Sequence, residues 1–216
     1  MNILDKVLIV MFLIFPMTGI SQAIVFYDVM VGGRTVGSVK VLHFLPGQEA
    51  GKRRIEAEFS IPFYSGSFFS ENQFTNGILK NSVTEHRVNG KKKEQTRTLE
   101  NARHQYQIDF FETNAEIRKT KDIRFCINST LTNLYYEEPV NICSVYSERY
   151  GQMCTVKKSG ENSYTVTLPN GKQSVYSYSD GQCKEVHAEL AGFKLRIIKR
   201  NISLVKNNYD KNKIRL

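Results

Sequence analysis

Arg54-Ile55-Glu56-Ala57-Glu58-Phe59-Ser60-Ile61-Pro62-Phe63 decides the fold class, because Ile55, Ala57, Phe59, Ile61 and Phe63 alternate with Arg54, Glu56, Glu58 and Ser60. Successive side chains of an extended chain point to opposite faces, so this segment has one dry and one wet face and reads as a half-buried β-strand. The alternation returns at Tyr106, Ile108 and Phe110, at Tyr164, Val166 and Leu168, and at Phe193, Leu195 and Ile197. Between such runs stand Gly32-Gly33, Asn76-Gly77, Asn89-Gly90, Ser159-Gly160, Asn170-Gly171, Asp180-Gly181 and Ala191-Gly192. Pairs of this kind suit tight hairpins, and their recurrence predicts an antiparallel meander of about ten strands. The expected fold class is mainly β: a strongly curved antiparallel meander sheet or a partly open β-barrel.

One stretch reads as a helix. After Asn128-Ser129, either of which suits a cap, Leu131, Leu134 and Tyr135 fall at i, i+3 and i+4, and Pro139 stops the run past Glu137-Glu138. The expectation is one short helix of about two turns. Its apolar side is expected to plug one end or face of the sheet, since a single curved sheet cannot bury its inner face unaided.

The chain has 216 residues, 13 Phe, 11 Tyr, no Trp and a net charge of +9. That length suits one domain, and a 41% hydrophobic fraction excludes a wholly disordered chain. Lys6, the apolar run Val7 to Phe15 and the small-x-small triplet Ser21-Gln22-Ala23 have the order of a secretory signal. The run is broken by Pro16 and Thr18, too short for a bilayer span of roughly 20 residues. The expected organisation is a signal peptide over 1–23, a single β domain over 24–200 and a basic, frayed tail over 201–216, in an exported protein of the periplasm or exterior with no transmembrane span after cleavage. Cys126, Cys143, Cys154 and Cys183 are disulfide candidates in such a compartment. They lack the C-x-x-C spacing of common zinc sites, so no metal is expected.

Tyr27-Asp28-Val29-Met30-Val31-Gly32-Gly33-Arg34-Thr35-Val36-Gly37 is followed in order by Leu134-Tyr135-Tyr136-Glu137-Glu138-Pro139, Val145-Tyr146-Ser147-Glu148-Arg149-Tyr150-Gly151, Leu168-Pro169-Asn170-Gly171 and Tyr176-Ser177-Tyr178-Ser179-Asp180-Gly181. This series resembles a family of secreted bacterial proteins of unknown function, the one numbered 6134, of Bacteroidota type. It is also similar to a broader periplasmic group numbered 3108. The resemblance covers about Phe26 to Lys199 and implies an envelope-side β protein with no assigned activity. The four cysteines are not part of it.

Several chemistries lack their residues. Gly32 to Gly37 is followed by strand-like sequence, whereas phosphate loops open a helix, so a hairpin is expected, with Gly37 at a bulge or close backbone approach. No G-x-S-x-G occurs, and His43, His86, His104 and His187 form no H-x-H or H-E-x-x-H arrangement. Lys91-Lys92-Lys93 lies beside Arg97 without interleaved aromatics, so the charge reads as screened attraction to acidic surfaces and no nucleic-acid partner is expected. Glu137, Glu138 and Glu148 leave an alternative open, a carbohydrate-active enzyme working through paired carboxylates at Glu138 and Glu148. The aromatics Phe59, Phe63, Tyr64, Phe68, Phe69 and Phe74 crowd into sixteen positions and read as core or as a cavity wall. The leading expectation is a non-catalytic binding or structural module without a cofactor. Phe59, Phe63, Tyr64, Phe68, Phe69, Tyr135, Tyr146 and Glu148 would face an apolar, lipid-like ligand or an envelope partner; a further alternative is a purely structural partner subunit.

Overall fold

Turn chemistry cuts the described residues into fourteen strands: β1 (Ala23–Val31), β2 (Arg34–His43), β3 (Lys52–Ile61), β4 (Tyr64–Thr75), β5 (Ile78–Val88), β6 (Lys91–Ala102), β7 (Gln105–Glu112), β8 (Lys119–Arg124), β9 (Ser144–Ser147), β10 (Gln152–Gly160), β11 (Ser163–Thr167), β12 (Gln173–Ser179), β13 (Gln182–Leu190) and β14 (Phe193–Lys199). The computed structural model describes residues 23–44, 51–112, 119–190 and 192–201. The expected signal segment before Ala23 and the tail after Asn201 lie outside the described residues. Among those residues no helix is long and apolar enough to cross a membrane. Asn76-Gly77, Asn89-Gly90 and Asp180-Gly181 all have positive φ at both positions, as the tight hairpins β4–β5, β5–β6 and β12–β13 require.

All fourteen strands belong to one antiparallel sheet, ordered β8-β7-β6-β5-β4-β3-β2-β1-β14-β13-β12-β11-β10-β9. Two sequential meanders, β1–β8 and β9–β14, thus meet where the first strand pairs the last, with Tyr27 opposite Lys199 and Met30 opposite Arg196. The sheet is curved but not closed into a barrel, because β8 and β9 end the order without pairing each other. The number of strands exceeds the sequence expectation of about ten because short polar runs such as Lys119–Arg124 and Gln173–Ser179 also pair.

The expected two-turn helix is a single 3-10 turn, Thr132–Tyr135, in the linker that carries the chain from β8 to β9. Its amides bond three residues back, as a 3-10 turn requires. Asn133 and Leu134 donate to the carbonyls of Thr130 and Leu131, three residues back, and the Leu134 carbonyl accepts from the Tyr178 hydroxyl at 2.8 Å. The expected role as an apolar plug holds. Leu134 is buried in a cluster with Tyr27, Val39, Val41, Val145, Val166 and Val186, while Leu131 and Tyr135 pack on it. Tyr136 pins the linker from the other side. Its hydroxyl accepts from the Arg54 amide at 2.7 Å and donates to the Leu42 carbonyl at 2.7 Å, inside the β2–β3 ladder.

A second apolar cluster joins the far strands. Tyr146 of β9 is buried with Leu79 of β5, Tyr106 and Ile108 of β7, and Ile127 of the linker. Linker backbone mediates this contact: the Leu79 amide donates to the Ile127 carbonyl, the Tyr146 amide to Ser129, and the Leu131 amide to Tyr146. Each fully buried aliphatic side chain in these clusters contributes roughly 1.5–3 kcal/mol of transfer free energy.

Gly37 marks both features read from the sequence. The β1–β2 register shifts beside it, and a Cβ there would lie 2.0 Å from the Glu58 carbonyl oxygen. Phe63 departs from its expected place. The β3–β4 turn Pro62-Phe63 puts Phe63 at φ 64 with its side chain 100% exposed, because the position after a turn proline is the one that demands a left-handed backbone.

Candidate functional site

Strand register sorts the inner face of the sheet into lines of neighbours. Val39, Ala57, Phe68, His86 and Glu94 stand opposite one another across β2 to β6. The next line reads Val41, Ile55, Ser70, Thr84 and Thr96, and the one beyond brings Asn72, Ser82 and Thr98 together. The interior is therefore apolar under β1–β3 and changes to small polar residues under β4–β6, all of them buried. The linker meets that polar half with matching groups. Asn72 Nδ2 donates to Thr130 Oγ1 at 3.1 Å, and Thr132 Oγ1 donates to Ser70 Oγ at 2.9 Å.

A partly open cavity of about 230 Å³ lies at the boundary between the two halves. Val29, Val39, Ile55, Ala57, Leu195 and Ile197 from the sheet and Leu131 from the linker form its apolar floor. Four rings stand around it, those of Phe59, Phe68, Tyr135 and Tyr176. The rings of Tyr135 and Tyr176 meet edge to face at 6.0 Å. Its remaining wall carries the polar residues His86, Thr132, Ser147, Glu148 and Arg149. An apolar cavity of about 150 Å³ accepts benzene and drug-sized sites start near 300 Å³, so this volume suits one small apolar group or a short alkyl chain.

Glu148 is the unusual member of that wall. Its side chain belongs to a residue only 3% exposed, yet it has no cationic partner among the described residues. Oε1 accepts from Asn72 Nδ2 at 2.8 Å and from the Thr132 amide at 3.0 Å, which caps the 3-10 turn from a distance. Oε2 receives no hydrogen bond from a described residue. The hydroxyls of Tyr135 and Tyr176 likewise have no protein partner among those residues. Burial raises the pKa of both hydroxyls above the ordinary tyrosine value, so both stay protonated donors at neutral pH.

Arg149, by contrast, is fully committed. Its Nε donates to Glu94 Oε2 at 2.8 Å and its Nη2 donates to Glu94 Oε1, a two-point pair that ties the turn after β9 to β6. The Arg149 guanidinium holds the Glu94 carboxyl down at about 2, from an ordinary value of 4.5. A carboxyl depressed in the folded state contributes stability above its unfolded pKa and loses it as pH falls through the folded one. We expect the thermal midpoint of the wild-type protein to exceed that of Glu94→Gln at pH 6. The difference should shrink steadily from pH 4.5 to about 2; a difference independent of pH over that interval would contradict the pair's role.

The structure brings four of the eight expected site residues, Phe59, Phe68, Tyr135 and Glu148, to one cavity. The others lie elsewhere. Tyr64 packs its ring 5.7 Å from that of Phe59, behind the wall. Phe69 points to the outer face, under the Arg54 guanidinium at 4.9 Å. Tyr146 is core between the far strands and shares a 2.8 Å hydrogen bond with Thr98 Oγ1. Phe63 is the exposed turn residue already described.

Glu138 and Glu148, weighed together as acid and base, do not share a wall: Glu138 accepts from the Tyr164 hydroxyl at 2.8 Å and does not line the cavity. The four disulfide candidates are free thiols, with Cys126 and Cys143 exposed and Cys154 and Cys183 buried. Cys154 and Cys183 stand on β10 and β13 with two strands between them, roughly 14 Å along the sheet, beyond the reach of a disulfide. Burial pushes the Cys154 thiol up to about 11 and the Cys183 thiol to about 12, so both are protonated and inert. Among the described residues no three His, Cys, Asp or Glu gather as a metal site.

Arg149, His86, Asn72, Thr132 and Tyr176 escaped the sequence reading. The signal that could have found the polar ones is the second-position rhythm Ser70-x-Asn72, Ser82-x-Thr84 and Thr96-x-Thr98, which places small polar groups on the face that strand logic reserves for apolar ones.

Over residues 27–200 the sequence matches the family described as Domain of unknown function (DUF6134). No curated protein and no solved structure matches it.

Proposed function

The chain belongs to this family of unknown function, and from its geometry we propose that it is a non-catalytic binding protein for a small apolar ligand. The observation that carries the reading is the cavity of about 230 Å³, floored by aliphatic side chains and ringed by Phe59, Phe68, Tyr135 and Tyr176. Curved sheets close their interiors with side chains unless something else is to be held there. Here the linker plugs the interior beside the cavity and leaves that volume free. We further propose an envelope location, reached through a leader removed after Ala23; the intact mass of protein isolated from the cell envelope tests this directly.

The binding itself is tested with N-phenyl-1-naphthylamine, an uncharged probe that brightens on entering an apolar site. Wild-type protein should raise its fluorescence saturably. Ala57→Phe places a ring in the volume that Ala57 now borders and should weaken the probe at least tenfold while the far-ultraviolet β signal is unchanged. No saturable rise with the wild-type protein, or equal binding by Ala57→Phe, would overturn the reading.

A further inference from the structure

Resting on that reading, we propose that the ligand carries a positively charged ammonium head, seated between the Glu148 carboxylate and the rings of Tyr135 and Tyr176. Three independent observations converge on it. The first is the charge of the wall. Arg149 is neutralised by the two hydrogen bonds it gives Glu94, whereas Glu148 is buried without a cationic partner among the described residues. His86, the remaining titratable group on the wall, lies 3.8 Å from Glu94. The uncompensated charge is therefore negative. A buried carboxylate deprived of water favours whatever brings a positive charge to it.

The second observation is the open hydrogen-bond positions. Glu148 Oε1 is saturated by Asn72 and Thr132, so Oε2 is left for a donor from the ligand. An ammonium has three such donors, and the hydroxyl oxygens of Tyr135 and Tyr176, which meet no described protein group, can accept the others. The third is the ring wall. A cation is drawn to aromatic faces, and this attraction grows when water is excluded. Aromatic rings beside one carboxylate suit an alkylammonium better than a fatty acid, whose own carboxylate would meet Glu148 as a like charge.

Competition against N-phenyl-1-naphthylamine at pH 7 tests the head group with three ligands of equal tail: octylamine, octan-1-ol and octanoate. On wild-type protein octylamine should displace the probe at a concentration at least tenfold lower than octan-1-ol, with octanoate weakest. Glu148→Gln should bring octylamine to the level of octan-1-ol measured on the same variant. Octanoate equal to octylamine on the wild-type protein, or an amine preference that survives Glu148→Gln, would overturn the proposal. If Glu148→Gln fails to fold, the order of the three ligands on wild-type protein decides alone. Probe and octan-1-ol bound without preference for the amine would remove only the ammonium head. A protein that binds neither would remove the apolar-ligand reading beneath it.

Discussion

Gly37→Ala should lower the stability of the fold by about 3–5 kcal/mol, a large part of the 5–15 kcal/mol that a domain commonly has. The reason is backbone rather than side-chain crowding. A Cβ at position 37 would lie 2.0 Å from the Glu58 carbonyl oxygen and 2.5 Å from the Phe59 Cα, both in β3. A flexible neighbour could turn aside, but these atoms belong to the ladder, and β2 would have to part from β3 to admit the methyl. Phe59 would move with it, so the cavity wall should loosen along with the sheet. Urea unfolding followed by circular dichroism reads the loss. A midpoint within a few tenths of a molar of wild type would show that the two strands are not held this closely.

Tyr146→Ala should cost about as much, roughly 3–5 kcal/mol, by emptying the contact between the two ends of the sheet. The Tyr146 ring is fully buried against Leu79, Tyr106, Ile108 and Ile127, and its hydroxyl is hydrogen-bonded to the buried Thr98. Alanine leaves a void and strands the Thr98 hydroxyl. Tyr146→Phe keeps the ring and removes only the hydrogen bond, for about 1 kcal/mol. The two substitutions together separate packing from polarity. Equal midpoints for Tyr146→Ala and Tyr146→Phe in thermal unfolding would mean that the ends of the sheet do not depend on this ring.

The strands around Ile55, Tyr106, Tyr164 and Leu195 were legible because one face of each meets apolar neighbours and the other meets water, which writes period two into the sequence. Phe63 breaks that reading at its last residue. Its place in the alternation says inward, yet the turn after Pro62 reverses the chain before the rule applies. The 3-10 turn was mistaken for a helix because the spacing of Leu131, Leu134 and Tyr135 is the same in both. The bonds that set it apart run three residues back, and the Leu134 carbonyl is held by the Tyr178 hydroxyl across 44 residues, a contact that no local pattern contains. Of the expected aromatics, Phe59, Phe68 and Tyr135 line the cavity while Phe63, Tyr64, Phe69 and Tyr146 do not. Phe59 and Phe68 reach the cavity because strand register sets them on its inner lines, whereas Phe69 is one residue out of phase and faces the other way. Glu148 stood out as a charge near the linker. Its lack of a cation could not be read, since that depends on Arg149 choosing Glu94 from a strand more than fifty residues earlier.

The pairing of β1 with β14 at the middle of the sheet sets the order of events in synthesis. The strand that leaves the ribosome first waits for the one that leaves last, and until then neither meander has its central neighbour. Closure across such a span is slow, and the apolar columns of β1 and β2 stay uncovered meanwhile, open to chaperones and to self-association. A circular permutant that runs β14 into β1 through a short loop would turn this late event into a local hairpin.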